Sequence, residues 1–199
     1  MTATVARPAA GAPPLAGRAR VVVLSAGHGP ASGTARLAQA IGDAAAAALR
    51  RAGVAASVEH LELRRSAPAV VRALIEGVRE DAVTDAVTTV QRADALVVAT
   101  PTVNASFSGL LKSFLDVLPP DALRSLPTTI AATGGTTRHT LVLDQAVRPM
   151  LGYQRAVVLP SCLFVTADEW DGPRPGAALA ARIEAAGAEL ARFTRAGVR

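Results

Sequence analysis

Hydrophobic and polar positions along the chain form two patterns, short apolar runs and longer segments with helical spacing. The run from Arg20 to Ala26 (RVVVLSA) is rich in β-branched residues, and an Ala-rich segment from Thr34 to Ala52 follows it after a Gly-rich loop. A continuous apolar run of this length is typical of a buried strand, and the longer segment is typical of a helix. This part of the chain therefore predicts a strand, a loop and a helix.

The same alternation continues through the rest of the chain. Gly53 ends the first helix, and the alternating segment from Val54 to Leu63 predicts a half-buried or edge strand. Between Pro68 and Arg92 the apolar spacing suits either one helix or two helices with a break near Gly77. The remaining predicted elements are strands at Ala95 to Thr100, Pro127 to Thr133 and Ala156 to Val165, and helices at Phe107 to Leu118, Leu141 to Gly152 and Ala177 to Phe193.

Five strands that alternate with helices predict an α/β fold with a parallel sheet covered on both faces, because the crossover connections are right-handed. We expect a flavodoxin-like three-layer sandwich with a five-stranded parallel sheet in the order 2-1-3-4-5. Ligands of such sheets bind beyond the carboxyl ends of the strands, near the point where the strand order reverses. The loops after strands 1, 3 and 4 are therefore the candidate ligand loops.

The length of 199 residues suits one domain, which we place at residues 19–199. Residues 1–18 are rich in Ala, Pro and Gly and lack the apolar core of a secretory signal, so we expect a disordered N-terminal tail. No apolar run approaches the roughly 20 residues that cross a bilayer. The sequence therefore predicts a cytoplasmic protein without a membrane partner.

The net charge of +5 and the pI near 10.8 raise the question of nucleic-acid binding. Arginines, however, recur singly along the chain apart from the pairs Arg50–Arg51 and Arg64–Arg65. Only 3% of residues are aromatic, so the stacking platform of single-strand binders is missing. We expect no nucleic-acid partner. The single cysteine, Cys162, excludes an intramolecular disulfide and a cysteine metal cluster, and no metal site is predicted.

The first candidate loop, SAGHGPASGTAR, carries three hydroxyl residues, Ser25, Ser32 and Thr34, around the start of the first helix. Hydroxyls and free amides at the positive end of a helix form a phosphate site. In the alternative interpretation, Ser32 or Thr34 only caps the helix. The loop is neither a Walker A motif nor a GxGxxG motif with an acidic ribose partner, which argues against a nucleotide triphosphatase and an ordinary Rossmann dehydrogenase.

The second and third candidate loops carry groups that suit a planar heterocycle. After Pro101 the chain presents Thr102, Asn104 and Ser106 as polar contacts for a ring. The segment ATGGTTRH has two glycines that allow close approach of the backbone, followed by Arg138. An edge lined by amides and a cation suits a flavin, whose reduced form carries negative charge on the pyrimidine side.

Taken together, these motifs resemble the NADPH-dependent FMN reductases of the flavodoxin-like superfamily, particularly a subgroup associated with luciferase-like flavin monooxygenases. The resemblance covers Arg20 to Ala191 and depends on three motifs. They are SAG…S-G-T-A-R at 25–36, TPTVNASFSGLLKSFLD at 100–116 and ATGGTTRHTLVLDQAVRPML at 132–151.

The resemblance implies three groups of FMN-binding residues and no catalytic side chain. The phosphate ligands would be Ser25, Ser32 and Thr34. The residues lining the isoalloxazine would be Pro101, Thr102, Val103, Asn104 and Ser106, and those bordering its pyrimidine and ring edge would be Gly134, Gly135 and Arg138. Family members commonly have an aromatic residue in place of Val103 and a hydroxyl in place of Gly33, so we expect this chain to hold FMN more loosely.

The activity that the resemblance implies is hydride transfer from NADPH to FMN, with reduced FMN supplied to a partner monooxygenase. One alternative is a quinone, chromate or azo reductase that retains its flavin. Another is a flavodoxin-type electron carrier, although such carriers are usually acidic and this chain is basic. Because proteins of this type often complete an open flavin site with a second subunit, we expect a homodimer or homotetramer.

Overall fold

Strands and helices alternate along residues 18–30 and 32–194, which are the residues that the computed structural model describes. The predicted disordered tail lies outside these residues, apart from Arg18. The elements are β1 (Arg18–Ser25), α1 (Gly33–Arg51), β2 (Ala55–Glu62), α2 (Leu63–Glu76), α3 (Asp81–Gln91), β3 (Ala95–Val103), β4 (Ser106–Phe107), α4 (Gly109–Val117), β5 (Pro127–Thr133), α5 (Arg148–Tyr153), β6 (Val157–Val165), β7 (Trp170–Asp171), β8 (Arg174–Pro175) and α6 (Ala177–Phe193).

The central sheet has the order β2-β1-β3-β5-β6, and all of these strands are parallel. The short β4 pairs antiparallel with the end of β3. When β4 is left out of the count, the order is 2-1-3-4-5, which confirms the predicted flavodoxin-like topology. Val21 and Val23 face the layer formed by α1 and α6, whereas Val22 and Leu24 face the layer that includes α2, α3 and α4.

Small residues bring the helices of one layer close to each other and to the sheet. A Cβ on Gly187 of α6 would lie 2.6 Å from the Cβ of Ala44 in α1, and a Cβ on Gly42 would lie 2.4 Å from Cγ2 of Val23. Neither contact leaves room for a side chain. The Ala-rich composition of α1 thus follows from close packing on both sides.

Two boundaries near the candidate loops differ from the prediction. β3 does not end at Thr100 but continues through Pro101 to Val103. The two-residue turn at Asn104 and Ala105, with φ of +47° and +64°, then folds the chain back onto β4. Helix α4 accordingly begins after Ser108, which caps it, and not at Phe107.

Other boundaries differ by smaller amounts. Of the two alternatives predicted for residues 68–92, two helices with a break near Gly77 is correct, because Gly77 has a φ of +71° and separates α2 from α3. α2 nevertheless starts at Leu63, directly after β2. The predicted helix at 141–152 includes a π-helical segment, Leu143–Val147, before α5, and the β7–β8 hairpin was not predicted. No helix in the described part of the chain is long and apolar enough to span a membrane.

Candidate functional site

A cleft of about 480 Å³ lies where β3, β5 and β6 end and α1 begins. Its volume is within the range of small-molecule sites, and its position at the carboxyl ends of parallel strands is where such sheets bind ligands. Eleven residues line the cleft: Gly33, Arg36, Pro101, Thr102, Thr133, Gly134, Gly135, Val165, Thr166, Ala167 and Trp170. Four of the eleven predicted site residues, Pro101, Thr102, Gly134 and Gly135, are among them.

The predicted phosphate loop is held in place by its own hydroxyls. Ser32 Oγ accepts a hydrogen bond of 3.0 Å from the N–H of Ala35 and so caps α1, as the alternative interpretation had it. A Cβ on Gly27 would lie 2.0 Å from that oxygen, so the loop requires glycine there. Thr34 Oγ1 lies 2.6 Å from Thr133 Oγ1 and joins α1 to the end of β5. Ser32 and Thr34 thus flank the cleft.

Ser25 lies at the end of β1, but its side chain faces β2. Its Oγ is 2.8 Å from His60 Nε2, and the residue is only 2% exposed. Burial lowers the pKa of His60 below its ordinary value, because the charged imidazolium is poorly solvated there. The structure therefore places Ser25 in a part-buried polar pair with His60, outside the cleft lining.

The predicted ring loop is divided between the cleft and the solvent. Pro101 and Thr102 line the cleft, and Thr102 Oγ1 is buried without a hydrogen-bond partner among the described residues. Val103, Asn104 and Ser106 form the exposed end of the β3–β4 hairpin and do not line the cleft.

A network of polar contacts fixes the base of this hairpin. The N–H of Ser108 donates to Thr100 Oγ1 at 2.9 Å, and the Thr100 hydroxyl in turn donates to the carbonyl of Pro101 at 3.0 Å. His28 Nε2 lies 2.9 Å from Ser108 Oγ. His28, which sequence reasoning left without a role, thus connects the phosphate loop to the hairpin.

The third loop places glycine backbone against the cleft. Gly134 is packed against Phe164, since a Cβ there would lie 2.6 Å from Phe164 Cζ. A Cβ on Gly135 would meet nothing within 4 Å, so its backbone is open to a ligand. Arg138 is exposed in the short 3₁₀ turn Thr137–His139 and does not line the cleft.

Two lining residues that sequence reasoning missed form a stacked pair. The guanidinium carbon of Arg36 lies 3.9 Å from the centroid of the Trp170 ring, and its Nη1 donates to the carbonyl of Gly172 at 2.9 Å. Trp170 and Gly172 belong to the β7–β8 hairpin. The Gly-Pro pair in WDGPRP is a turn signal that could have revealed this hairpin, but nothing in the sequence links it to Arg36.

Two ion pairs join residues four positions apart on helical segments. Lys112 and Asp116 form an exposed ion pair of 2.6 Å on α4. Arg148 pairs with Asp144 at 2.8 Å and also donates to the carbonyl of Leu159 at 2.7 Å. This second contact binds α5 to the irregular part of β6. Within residues 18–30 and 32–194 no group of three or more His, Cys, Asp or Glu is arranged to hold a metal.

Comparison with known proteins gives consistent matches. Residues 19–171 match the family model described as NADPH-dependent FMN reductase. The NADH-dependent FMN reductase SfnE of Pseudomonas putida is 37% identical over 174 residues, covering 83% of this chain and 87% of that protein. An FMN reductase (NADPH) of Pseudomonas aeruginosa is 35% identical over 111 residues, covering 56% of this chain and 53% of that protein.

Solved structures agree with these matches. An oxidoreductase from Corynebacterium diphtheriae has a TM-score of 0.84 and 40% identity, covering 90% of this chain and 98% of that one. The apo form of an NADH:FMN oxidoreductase, EmoB, has a TM-score of 0.77 and 29% identity, covering 89% and 90%. An archaeal flavodoxin, 13% identical with a TM-score of 0.56, shares the fold. The chain belongs to the NADPH-dependent FMN reductase family, an oxidoreductase family that uses FMN and NAD(P)H.

Proposed function

We propose that the cleft is the FMN site of a cytoplasmic FMN reductase that takes a hydride from NADPH and supplies reduced FMN to a partner monooxygenase. The observation that carries this proposal is the composition of the cleft. The walls of this cleft of about 480 Å³ combine the start of the long helix α1, the cation of Arg36 and the glycine backbone at Gly134 and Gly135. Family membership supports the same assignment.

The phosphate end of the site would be the first turn of α1. The N–H groups of a first helical turn have no carbonyl partners within the helix, and the helix dipole is positive there. Gly33 offers backbone without a side chain, and Arg36 adds a positive charge on the same wall. Ser32 and Thr34 shape this turn through their hydrogen bonds, and because Ser32 Oγ only accepts a bond from Ala35 among the described residues, its O–H remains free to donate to a phosphate.

The ring end of the site would be formed by Pro101, Thr102, Gly134 and Gly135. Open space beside Gly135 lets a planar ring approach the backbone. Thr102 Oγ1 is a buried hydroxyl without a partner in the described part of the chain, and leaving such a group unpaired costs about 1–3 kcal/mol. Rotation of the Thr102 side chain toward the cleft would let this hydroxyl bond to a polar ring edge and relieve this cost.

When bound, FMN supplies the redox chemistry by accepting a hydride from the nicotinamide. The lining residues of the described chain include no carboxylate, imidazole or thiol. The contribution of the protein is therefore to hold the two rings in contact, and such positioning accounts for a large part of the rate enhancement in reactions of this kind. We accordingly assign no acid or base.

We propose further that FMN is a releasable substrate. Val103 is 38% exposed at the end of the β3–β4 hairpin and does not cover the cleft, and Gly33 contributes no hydroxyl. A flavin that is lost during gel filtration, together with sequential kinetics, would support this proposal. Retained FMN with ping-pong kinetics would favour the quinone, chromate or azo reductase alternative. In a separate test of the same proposal, Val103→Tyr should slow the loss of FMN from the protein.

The test of the reductase assignment is anaerobic mixing of the purified protein with FMN and either NADPH or NADH while flavin absorbance is followed. We expect rapid bleaching with NADPH. Flavin that remains oxidised with both coenzymes would refute the assignment and would revive the electron-carrier alternative. Delivery is tested separately, by supplying a flavin-dependent monooxygenase with FMN that this protein reduces.

A homodimer or homotetramer is part of the proposal. Helix α2 carries a second apolar face, exposed to solvent, formed by Val71, Leu74 and Ile75, and Val78 is a further exposed apolar residue after the helix ends at Gly77. The spacing i, i+3, i+4 of Val71, Leu74 and Ile75 places them on one face of α2, and such a face can pack on its own copy about a two-fold axis. Stable interfaces bury about 800 Å² per partner, so this face would be the centre of a larger contact. Light scattering tests it: Ile75→Glu should dissociate the assembly, and a fully active monomeric wild type would contradict it.

A further inference from the structure

We infer that Arg36 selects FMN over flavins that lack a phosphate, and that Trp170 and the Gly172 carbonyl are the groups that hold Arg36 in position. The inference rests on the proposed function and adds to it a specificity-determining residue. Nothing in the sequence motifs pointed to this pair, because its members come from opposite ends of the domain.

The first observation is the isolation of the Arg36 charge. Arg36 is the one charged side chain among the described residues that line the cleft. It forms no ion pair with a carboxylate in residues 18–30 and 32–194. A cation without a counter-ion on the wall of a cleft attracts an anion, and a flavin phosphate carries nearly two negative charges at pH 7.

The second observation is the orientation of the guanidinium. Its flat face lies on the Trp170 ring at 3.9 Å, and one N–H donates to the carbonyl of Gly172. A guanidinium has five N–H donors in one plane, so the stacked group keeps donors at its edge. These are the donors that bind phosphate in the bidentate geometry, which a lysine cannot reproduce.

The third observation is that Trp170, on which Arg36 stacks, is itself fixed by contacts of the β7–β8 hairpin. Trp170 pairs with Pro175 across the β7–β8 hairpin and packs on the core layer of α1 and α6. The N–H of Gly176 donates to the carbonyl of Glu169 at 2.9 Å and closes the base of the hairpin. A side chain that is already ordered loses little entropy on binding, so the held Arg36 binds an anion better than a free arginine.

The kinetic test compares FMN with riboflavin, which has the same ring system without the phosphate. Loss of a charge-assisted contact should raise KM for FMN on the order of 10- to 100-fold in Arg36→Gln, while KM for riboflavin and both kcat values stay near wild type. Trp170→Leu should raise KM for FMN less, because the cation remains but is no longer held. Arg92→Gln, at the exposed end of α3, is the matched control and should change neither KM.

A second readout does not depend on turnover. Trp170 is the only tryptophan of the chain, so the fluorescence of the flavin-free protein reports on the pair. Inorganic phosphate, added at constant ionic strength, should change Trp170 emission in the wild type and not in Arg36→Gln. An equal emission change in both proteins would overturn the inference.

Three kinetic outcomes would also overturn it. Equal losses for FMN and riboflavin in Arg36→Gln would indicate a general structural role. A rise in KM for NADPH relative to NADH, with FMN unaffected, would assign Arg36 to the coenzyme. Unchanged KM for both flavins would remove Arg36 from the site. A wild type that reduces neither flavin refutes the proposed function, and the phosphate titration then still decides whether Arg36 binds the anion.

Discussion

Gly134 allows the sharpest prediction about the wall of the cleft. A Cβ there would lie 2.6 Å from Cζ and 3.2 Å from Cε1 of Phe164. Carbon atoms in favourable contact are about 3.5–4.0 Å apart, so the ring would have to move by roughly 1 Å. Phe164 is 7% exposed and belongs to the core. Overpacking of this kind costs about 1–3 kcal/mol, and we expect Gly134→Ala to lower the free energy of unfolding by that amount.

Urea denaturation measures this loss as a lower midpoint at an unchanged slope. Gly135→Ala is the matched control, because its Cβ meets nothing within 4 Å. It should leave stability unchanged within about 0.5 kcal/mol and should weaken FMN binding, since the new methyl group stands in the cleft.

A double-mutant cycle identifies the contact itself. Phe164→Leu replaces the ring with a smaller side chain and so makes room for a Cβ at position 134. Part of the stability lost in Gly134→Ala should therefore be recovered in the double variant, and the two losses of unfolding free energy should be less than additive. Two results would refute the reasoning: Gly134→Ala as stable as the wild type, or strict additivity with Phe164→Leu.

Three further predictions concern other parts of the structure. Arg148→Met should lower the free energy of unfolding by about 2–3 kcal/mol, because carbonyls at the irregular part of β6 lose their donor. The control, Lys112→Met, should lower it by less than about 1 kcal/mol, because it removes only an exposed ion pair. Equal losses of stability in urea denaturation of the two variants would contradict this. Ala105→Gly should raise stability by about 0.5–1 kcal/mol, because Ala105 adopts a φ of +64°; a lower denaturation midpoint would show that this turn is unstrained. The pKa of His60 is below 6.5 in the folded protein, so the unfolded chain binds the proton first as the pH falls, and stability should decrease below about pH 7. His60→Gln should reduce this decrease, and an unchanged pH profile would exclude His60 as its source.

The sheet could be predicted from the sequence because its signals are local. The run that contains Val21 and Val23 is continuous and apolar, as a strand buried on both faces must be, and Gly77 ends α2 in the left-handed conformation that favours glycine. The strand order then followed from the alternation of strands and helices. No long-range information was needed for these steps.

The side-chain geometry of the site could not be predicted because it depends on distant contacts. Ser25 lies in the sequence where a phosphate ligand is expected, at the end of the first strand. In the structure its hydroxyl instead forms a hydrogen bond with His60, which is 35 residues away. Arg36 and Gly172 are 136 residues apart. The turn at Asn104 and Ala105 has no glycine, so the sequence lacks the usual signal of a two-residue hairpin turn with positive φ. The prediction that Arg138 borders the flavin stays a prediction.

FMN binding and reduction in Gly135→Val test the central claim, that this cleft is where FMN is held and reduced. Gly152→Val is the control, because Gly152 is also exposed, with open space around it, but lies on α5, outside the cleft lining. In anaerobic mixing with NADPH and FMN, we expect Gly135→Val to require far more FMN for half-maximal bleaching, and Gly152→Val to behave as the wild type does. Equal reduction of FMN by a folded Gly135→Val and by the wild type would place the flavin site elsewhere and contradict the account.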